Sequence, residues 1–174
     1  KDIKNLPIDK ETKQLADLPI FIVGDAAPDT PIQHEAAHTG KQIVYNCLNY
    51  PNVKPIPALT PLAIVFCHPE MAIVGKSFKQ LEDQQIEFIR GFVSYENQGR
   101  ALVLAENSGG IEVYIDKKSG KLLGTELFCS QAEHLAHLLA WMIDADQDIH
   151  QILKKPFYHP TLEEGLRTAF KHAR

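Results

Sequence analysis

The sequence predicts an α+β domain, an antiparallel β-sheet with helices covering one face, preceded by a smaller segment of different character. Three observations carry this expectation. Segments between Ile86 and Phe128 alternate or run apolar and are punctuated by glycine-containing turns, the pattern of antiparallel hairpins. From Gln131 the apolar period becomes helical, and strands followed by helices fit a sheet covered on one side. Before all of this, Pro51, Pro55, Pro57 and Pro61 fall within eleven residues. That density forbids a regular helix or a central strand and marks an extended linker. The chain therefore divides into residues 1–58 and residues 59–174.

Taken in order, residues 1–18 are polar, charged and weakly periodic, and read as a loosely tethered arm. Ile20 to Val23 is a continuous apolar run closed by Gly24-Asp25, which predicts a short buried strand ending in a turn. From about Ile32 to Leu48 apolar residues recur at helical spacing. Beyond the linker, Leu62 to Phe66 and Ala72 to Val74 predict short strands around the turn-like His68-Pro69-Glu70. Lys79 to Gln85 predicts a short helix. Ile86 to Ser94, Arg100 to Glu106, Ile111 to Asp116 and Lys121 to Phe128 predict further strands. Leu135, Leu138, Leu139 and Met142 share one face of a helix over 131–143. Shorter helices are expected over 149–153 and from Leu162 to about His172.

The composition is that of an ordinary globular chain. Of 174 residues, 44% are hydrophobic and 23% charged, and 18 Lys and Arg against 22 Asp and Glu give a formal charge of −4. A net acidic chain without basic runs offers no electrostatic footprint for nucleic acid. No apolar stretch approaches the ~20 residues of a membrane span. Cys47, Cys67 and Cys129, spaced by 20 and 62, fit no zinc ribbon or redox pair. An odd count without local pairing suits a reducing compartment, so a cytoplasmic location is expected. The first residue is Lys1, which reads as a cut inside something longer.

Three constellations bear on chemistry. His34-Glu-Ala-Ala-His38 places two His on one helical face with a Glu between, the arrangement of a zinc hydrolase. A catalytic zinc needs three protein ligands, and no third is evident: after Glu35 the next acid is Glu70, beyond the linker. The bland alternative is an amphipathic helix with partly exposed His. Gly24-Asp25 puts a carboxylate at a strand's carboxyl end, in front of a helix N-terminus near Ile32 whose unpaired N–H groups suit an electron-rich ring. Alone, it reads as a Gly-Asp turn before it reads as a ligand contact. In His159-Pro160-Thr161-Leu162-Glu163-Glu164, Pro160 holds His159 extended, outside the following helix. Thr161 and Glu164 have the spacing of a capping box, and Glu164 is also placed to orient His159 as a general base.

Several of these segments carry a resemblance. Phe157-Tyr-His-Pro-Thr-Leu-Glu-Glu164 resembles the C-terminal motif of dihydrolipoyl dehydrogenases and related flavin-dependent disulfide reductases. Val65-Phe-Cys-His-Pro-Glu-Met-Ala-Ile-Val-Gly75 resembles the opening strands of that family's dimerisation domain, and Asn97-Gln-Gly-Arg-Ala101 its Asn-Gly-Arg-Ala turn. Ile20-Phe-Ile-Val-Gly-Asp25 resembles its second flavin motif, and His34-Glu-Ala-Ala-His-Thr-Gly40 the helix after it. The resemblance runs in order over residues 18–172.

The resemblance implies that residues 1–58 are the C-terminal remnant of an α/β flavin-binding domain with its linker, and that 59–174 form the dimerisation domain. It implies FAD at Gly24, Asp25, Ile32, Gln33 and His34, NAD as electron acceptor, and no metal. It assigns His159 and Glu164 as the acid/base pair for oxidation of dihydrolipoamide, reaching into the partner subunit's site. A homodimer is implied, working beside a 2-oxoacid dehydrogenase complex. Neither the Gly-x-Gly-x-x-Gly fingerprint nor a Cys-x4-Cys pair is present, so the chain alone is expected to be inactive. Phe157-Tyr158 and Gln33 depart from the family pattern. A non-catalytic module that binds a second copy of itself is the remaining alternative.

Overall fold

The computed structural model describes residues 6–27 and 32–174. The chain separates into two compact units, residues 1–59 and 60–174.

In the first unit, residues 6–22 are more organised than a tethered arm. Asp9 turns the chain by accepting from the Glu11 and Thr12 backbone N–H groups and the Thr12 hydroxyl. Isolated bridges join Ile8 to Leu15 and Gln14 to Phe21. Residues 1–5 lie outside the described residues. The strand expected over Ile20–Val23 does not form: Phe21 makes only its single bridge, and Ile20 stays 48% exposed. A short strand needs neighbours, and the described residues of this unit supply no sheet for it to join. Gly24–Ala26 is one turn of 3-10 helix. Helix α1, Gln33–Asn49, packs against it. Buried Asn46 ties α1 to its surroundings, donating to the Thr12 and Lys54 carbonyls and accepting from the Lys54 N–H.

The second unit is built on five antiparallel strands: β1 Leu62–Val65, β2 Glu70–Gly75, β3 Phe88–Ser94, β4 Gly110–Asp116 and β5 Leu122–Cys129. Their order across the sheet is β1-β2-β5-β4-β3. Alternation sends one set of side chains to each face. Ala72, Val74, Val93, Ile111, Val113, Leu127 and Cys129 point into the core. Helices α4, Ala132–Asp144, and α6, Glu164–His172, cover that face, α4 over β1, β2 and β5 and α6 over β3 and β4. Leu135, Leu139, Leu166 and Phe170 supply their buried sides. The short α5, Ile149–Leu153, packs on α6. Helix α2, Phe78–Asp83, begins with a full capping box from Ser77 and Gln80. Its first residue laps the opposite face, where Phe78, Phe88 and Tyr114 form a ring cluster with centroids 5.5–6.0 Å apart.

One expected strand is a helix. Arg100–Glu106 was predicted extended from its apolar run, but Gly99–Leu104 forms α3. Gln98 accepts from the Ala101 N–H at its start, and Ala105, at φ 58, closes its end in the left-handed region. An apolar run this short suits either state, and the caps decide it.

Helix α6 approaches β3 more closely than a side chain permits. A Cβ at Gly91 would stand 2.1 Å from the Ala169 carbonyl oxygen and 2.8 Å from the Ala173 Cβ. Gly91→Ala therefore forces α6 off the sheet, and a loss of about 2–3 kcal/mol is expected in urea unfolding. An unchanged midpoint would show that this contact is not tight in solution.

Candidate active-site loop and pairing face

The segment between α5 and α6 carries the His159–Glu164 pair. The Thr161 hydroxyl donates to the Tyr158 carbonyl, at 2.7 Å, and folds the loop back on itself. Glu164 opens α6, and its carboxylate reaches back to accept the Thr161 backbone N–H at 3.1 Å. Only this half of the expected capping box exists. Thr161 uses its hydroxyl on Tyr158, and the residue at the helix N-cap is Glu163, which makes no side-chain cap.

The same carboxylate meets His159 Nδ1 at 3.0 Å. In the neutral ring this places the proton on Nδ1, donated to Glu164, and leaves the Nε2 lone pair as the basic site. The His159 side chain is 80% exposed, so Nε2 is open to an incoming group. The Thr161 N–H, and then His159, hold the Glu164 carboxyl below its ordinary pKa. Geometry and electrostatics agree: a carboxylate that stays charged orients an imidazole whose other nitrogen can take a proton.

Sequence reasoning missed the residues that hold this loop. Tyr95, wholly buried just after β3, donates from its hydroxyl to the Leu162 carbonyl at 2.7 Å. Gln98 donates from Nε2 to the Thr161 carbonyl while its Oε1 caps α3. Both lie more than sixty residues from their targets, so no local spacing could reveal them.

The sheet face away from α4 and α6 is the second feature. Val65, Met71, Ile73, Phe92 and Phe128 stand on it, each 44–57% exposed. Register places Val65, Met71, Phe128 and Gly110 in one row and Ala63, Ile73, Glu126, Glu112 and Phe92 in the next. Toward α2 the face becomes polar. The Tyr114 hydroxyl lies 2.9 Å from Glu112 Oε2 and 2.8 Å from Glu126 Oε2, while Arg90 pairs with Glu112. Burial, followed by these two carboxylates, raises the Tyr114 pKa, so the phenol keeps its proton. An apolar patch rimmed by polar groups is the kind of surface that meets a protein, a membrane or a ligand.

The remaining candidate residues lie in the first unit. Gly24 has φ +66, and a Cβ there would sit 3.4 Å from the Ala36 Cβ, so the turn lies close against α1. Asp25 is exposed beside it. Ile32, extended, precedes α1 without a side-chain cap, and the first N–H groups of a helix have no partner within it. The turn packs against α1 at Ala36; residues 28–31 between them lie outside the described residues. Of the zinc-like motif, His38 Nε2 is engaged with the Pro57 carbonyl at 2.9 Å. Among the described residues no three His, Cys, Asp or Glu side chains gather to hold a metal ion.

All three cysteines are free thiols. Burial pushes the Cys129 thiol up to about 12, with Glu70 adding to the rise, whereas Cys47 and Cys67 are exposed. The thiolate is the reactive form, and it appears only as pH rises through the pKa. A maleimide at pH 7.5 is expected to label Cys47 and Cys67 quickly and spare Cys129 until the domain unfolds. Mass spectrometry checks this; rapid labelling of Cys129 would contradict its burial.

Known proteins align with both units. The profile of the pyridine nucleotide-disulphide oxidoreductase dimerisation domain matches residues 62–170. A dihydrolipoyl dehydrogenase of Mycoplasma pneumoniae is 29% identical over 154 residues, 88% of this chain and 34% of its own length. That of Mycoplasma genitalium is 25% identical over 173 residues, 99% of this chain and 38% of its own. The chain thus spans about a third of the length of these relatives. Among solved structures, LpdA from Mycobacterium tuberculosis superposes with a TM-score of 0.80 at 18% identity, covering 96% of this chain and 38% of that one. The flavoprotein disulfide reductase RclA from Escherichia coli gives 0.81 at 16%, covering 97% and 40%. The five-stranded antiparallel sheet with its helices is the fold these structures share. No helix among the described residues is long and apolar enough to cross a membrane. With its profile match spanning well over half of its length, the chain belongs to the pyridine nucleotide-disulphide oxidoreductases, through their dimerisation domain.

Proposed function

We propose that this chain forms the C-terminal part of a dihydrolipoyl dehydrogenase, with residues 1–58 belonging to its flavin-binding domain. Its domain from residue 59 pairs two subunits and supplies His159 and Glu164 as the acid/base pair for oxidation of dihydrolipoamide. The observation that carries this reading is the His159 Nδ1···Glu164 contact, with Nε2 left exposed.

The chemistry follows from that contact. A thiol attacks a disulfide only as its thiolate, so the substrate dithiol must lose a proton. His159 Nε2 accepts it, and Glu164 stabilises the resulting imidazolium. The dithiol gives up two electrons and closes to a disulfide, while the redox disulfide of the partner subunit's site is reduced. Held at Gly24, Asp25, Ile32, Gln33 and His34, FAD would relay the electron pair onward to NAD. The uncapped α1 N-terminus and the turn packed close to it fit such a ring, since N–H groups and a partial positive charge face it. The three free cysteines lie far apart in sequence and include no Cys-x4-Cys pair. On this reading the isolated chain has no turnover, resides in the reducing cytoplasm and pairs through the open sheet face. A 2-oxoacid dehydrogenase complex is the corresponding larger partner.

Sedimentation equilibrium tests the pairing. A dimer is expected at micromolar concentration; a strict monomer at several hundred micromolar overturns it. The self-associating module without catalysis differs only in its loop chemistry, which the His159 experiment below addresses.

A further inference from the structure

We propose that Tyr95 is a positioning residue for the His159–Glu164 pair, holding the pair's orientation through the Leu162 carbonyl. The proposal rests on the acid/base reading above, and adds a residue that touches neither substrate nor His159.

The argument begins with what Tyr95 is not needed for. The Leu162 carbonyl already accepts the Gly165 N–H at 3.0 Å, so the phenol does not rescue an orphaned acceptor. Phenylalanine would fill the same buried space, and burying a hydroxyl is unfavourable unless it bonds. What the hydroxyl adds is a fixed direction for one peptide unit. Helix α6 is shaped to receive it: a Cβ at Gly165 would stand 2.6 Å from the Tyr95 hydroxyl oxygen and 2.8 Å from its ring. A glycine in the first turn lets the phenol reach the loop.

The held peptide units are the ones that matter. The Thr161 N–H fixes the Glu164 carboxylate, the Thr161 carbonyl accepts from Gln98, and the Leu162 carbonyl accepts from Tyr95. Two consecutive carbonyls are thereby fastened to the β3–α3 segment, directly behind the N–H that aims Glu164 at His159 Nδ1. Burial raises the Tyr95 pKa, so the phenol remains a donor across the working range.

Nitrogen-detected NMR on the 174-residue chain, at a pH where the ring is neutral, reads the His159 tautomer; carbon-detected NMR follows the Glu164 carboxyl. Glu164→Ala, which removes the acceptor, defines the uncoupled ring. Tyr95→Phe is expected to shift His159 from the Nδ1–H form toward that uncoupled state and to move the Glu164 titration upward. Val113→Ala, a core truncation on β4, should lower the thermal midpoint while leaving both signals at the parent values. Gly165→Ala, which displaces the phenol but keeps it, should reproduce the Tyr95→Phe shift, and it decides the matter if Tyr95→Phe fails to fold. Parent-like signals in both variants overturn the role of Tyr95 alone. A parent chain already indistinguishable from Glu164→Ala overturns the acid/base pairing, and this proposal with it.

Discussion

Phe128→Glu is expected to leave the chain monomeric where the parent chain is a dimer. Phe128 lies on β5, the central strand, beside Met71 of β2 and Gly110 of β4. It is 44% exposed on the open face, while its neighbours Leu127 and Cys129 face the core. The substitution therefore spares the packing that folds the domain. Two-fold symmetry places the new charge at the contact twice. The carboxylate also joins Glu126 and Glu112 on the same face, where Arg90 pairs with Glu112. An unpaired charge at a buried contact costs about 3–5 kcal/mol, so dimer affinity should fall by at least about a hundredfold. Sedimentation equilibrium reads the mass, and circular dichroism shows that the fold is kept. Trp141→Ala, on the outer side of α4 and 64% exposed, should remain dimeric. If Phe128→Glu also stays a dimer, the pairing surface lies elsewhere.

His159→Gln carries the second large effect. In an enzyme that joins this domain to a flavin site and a redox disulfide, dithiol turnover should fall by about 10²–10⁴-fold, the usual worth of a positioned general base. Electron transfer between NADH and the flavin needs no thiol deprotonation and should stay near the parent rate. Glu164→Gln should cost less, because the ring and an acceptor for Nδ1–H remain and only the charge that stabilises the imidazolium is lost. The lowered Glu164 pKa sets the sign of the pH effect. Its contact with the Thr161 N–H and His159 is fully present above the ordinary carboxylate range and is lost as pH falls through the depressed value. Protonation of Glu164 therefore does not limit turnover in mildly acidic buffer. Unchanged dithiol turnover in His159→Gln would remove the acid/base assignment and leave the domain a pairing module.

The sheet was legible because its patterns are local. Ile111, Val113 and Ile115 alternate with Glu112 and Tyr114, and that period of two fixes β4 and its faces. The 3.6 period of α4 is equally plain. The apolar run of α3 was ambiguous, since its state depends on Gln98 at one end and Ala105 at the other. Ile20–Val23 has strand composition without strand neighbours, and pairing is not encoded in the run itself. Of the loop, His159 and Glu164 were visible by spacing. Thr161 was visible too, but its hydroxyl goes to Tyr158 rather than to the helix. Tyr95 was invisible, because two strands and three helices lie between it and Leu162 in the chain.

The His159–Glu164 contact forms within one subunit, on a helix seated against the sheet through Gly91. Its alignment is therefore set when the domain folds and not when two subunits meet. If His159 is the proton acceptor proposed above, the loss of freedom that a well-aimed acceptor requires is met once, by the monomer. On that proposal a second subunit meets a group already aimed, with no search through ring orientations between assembly and a competent site.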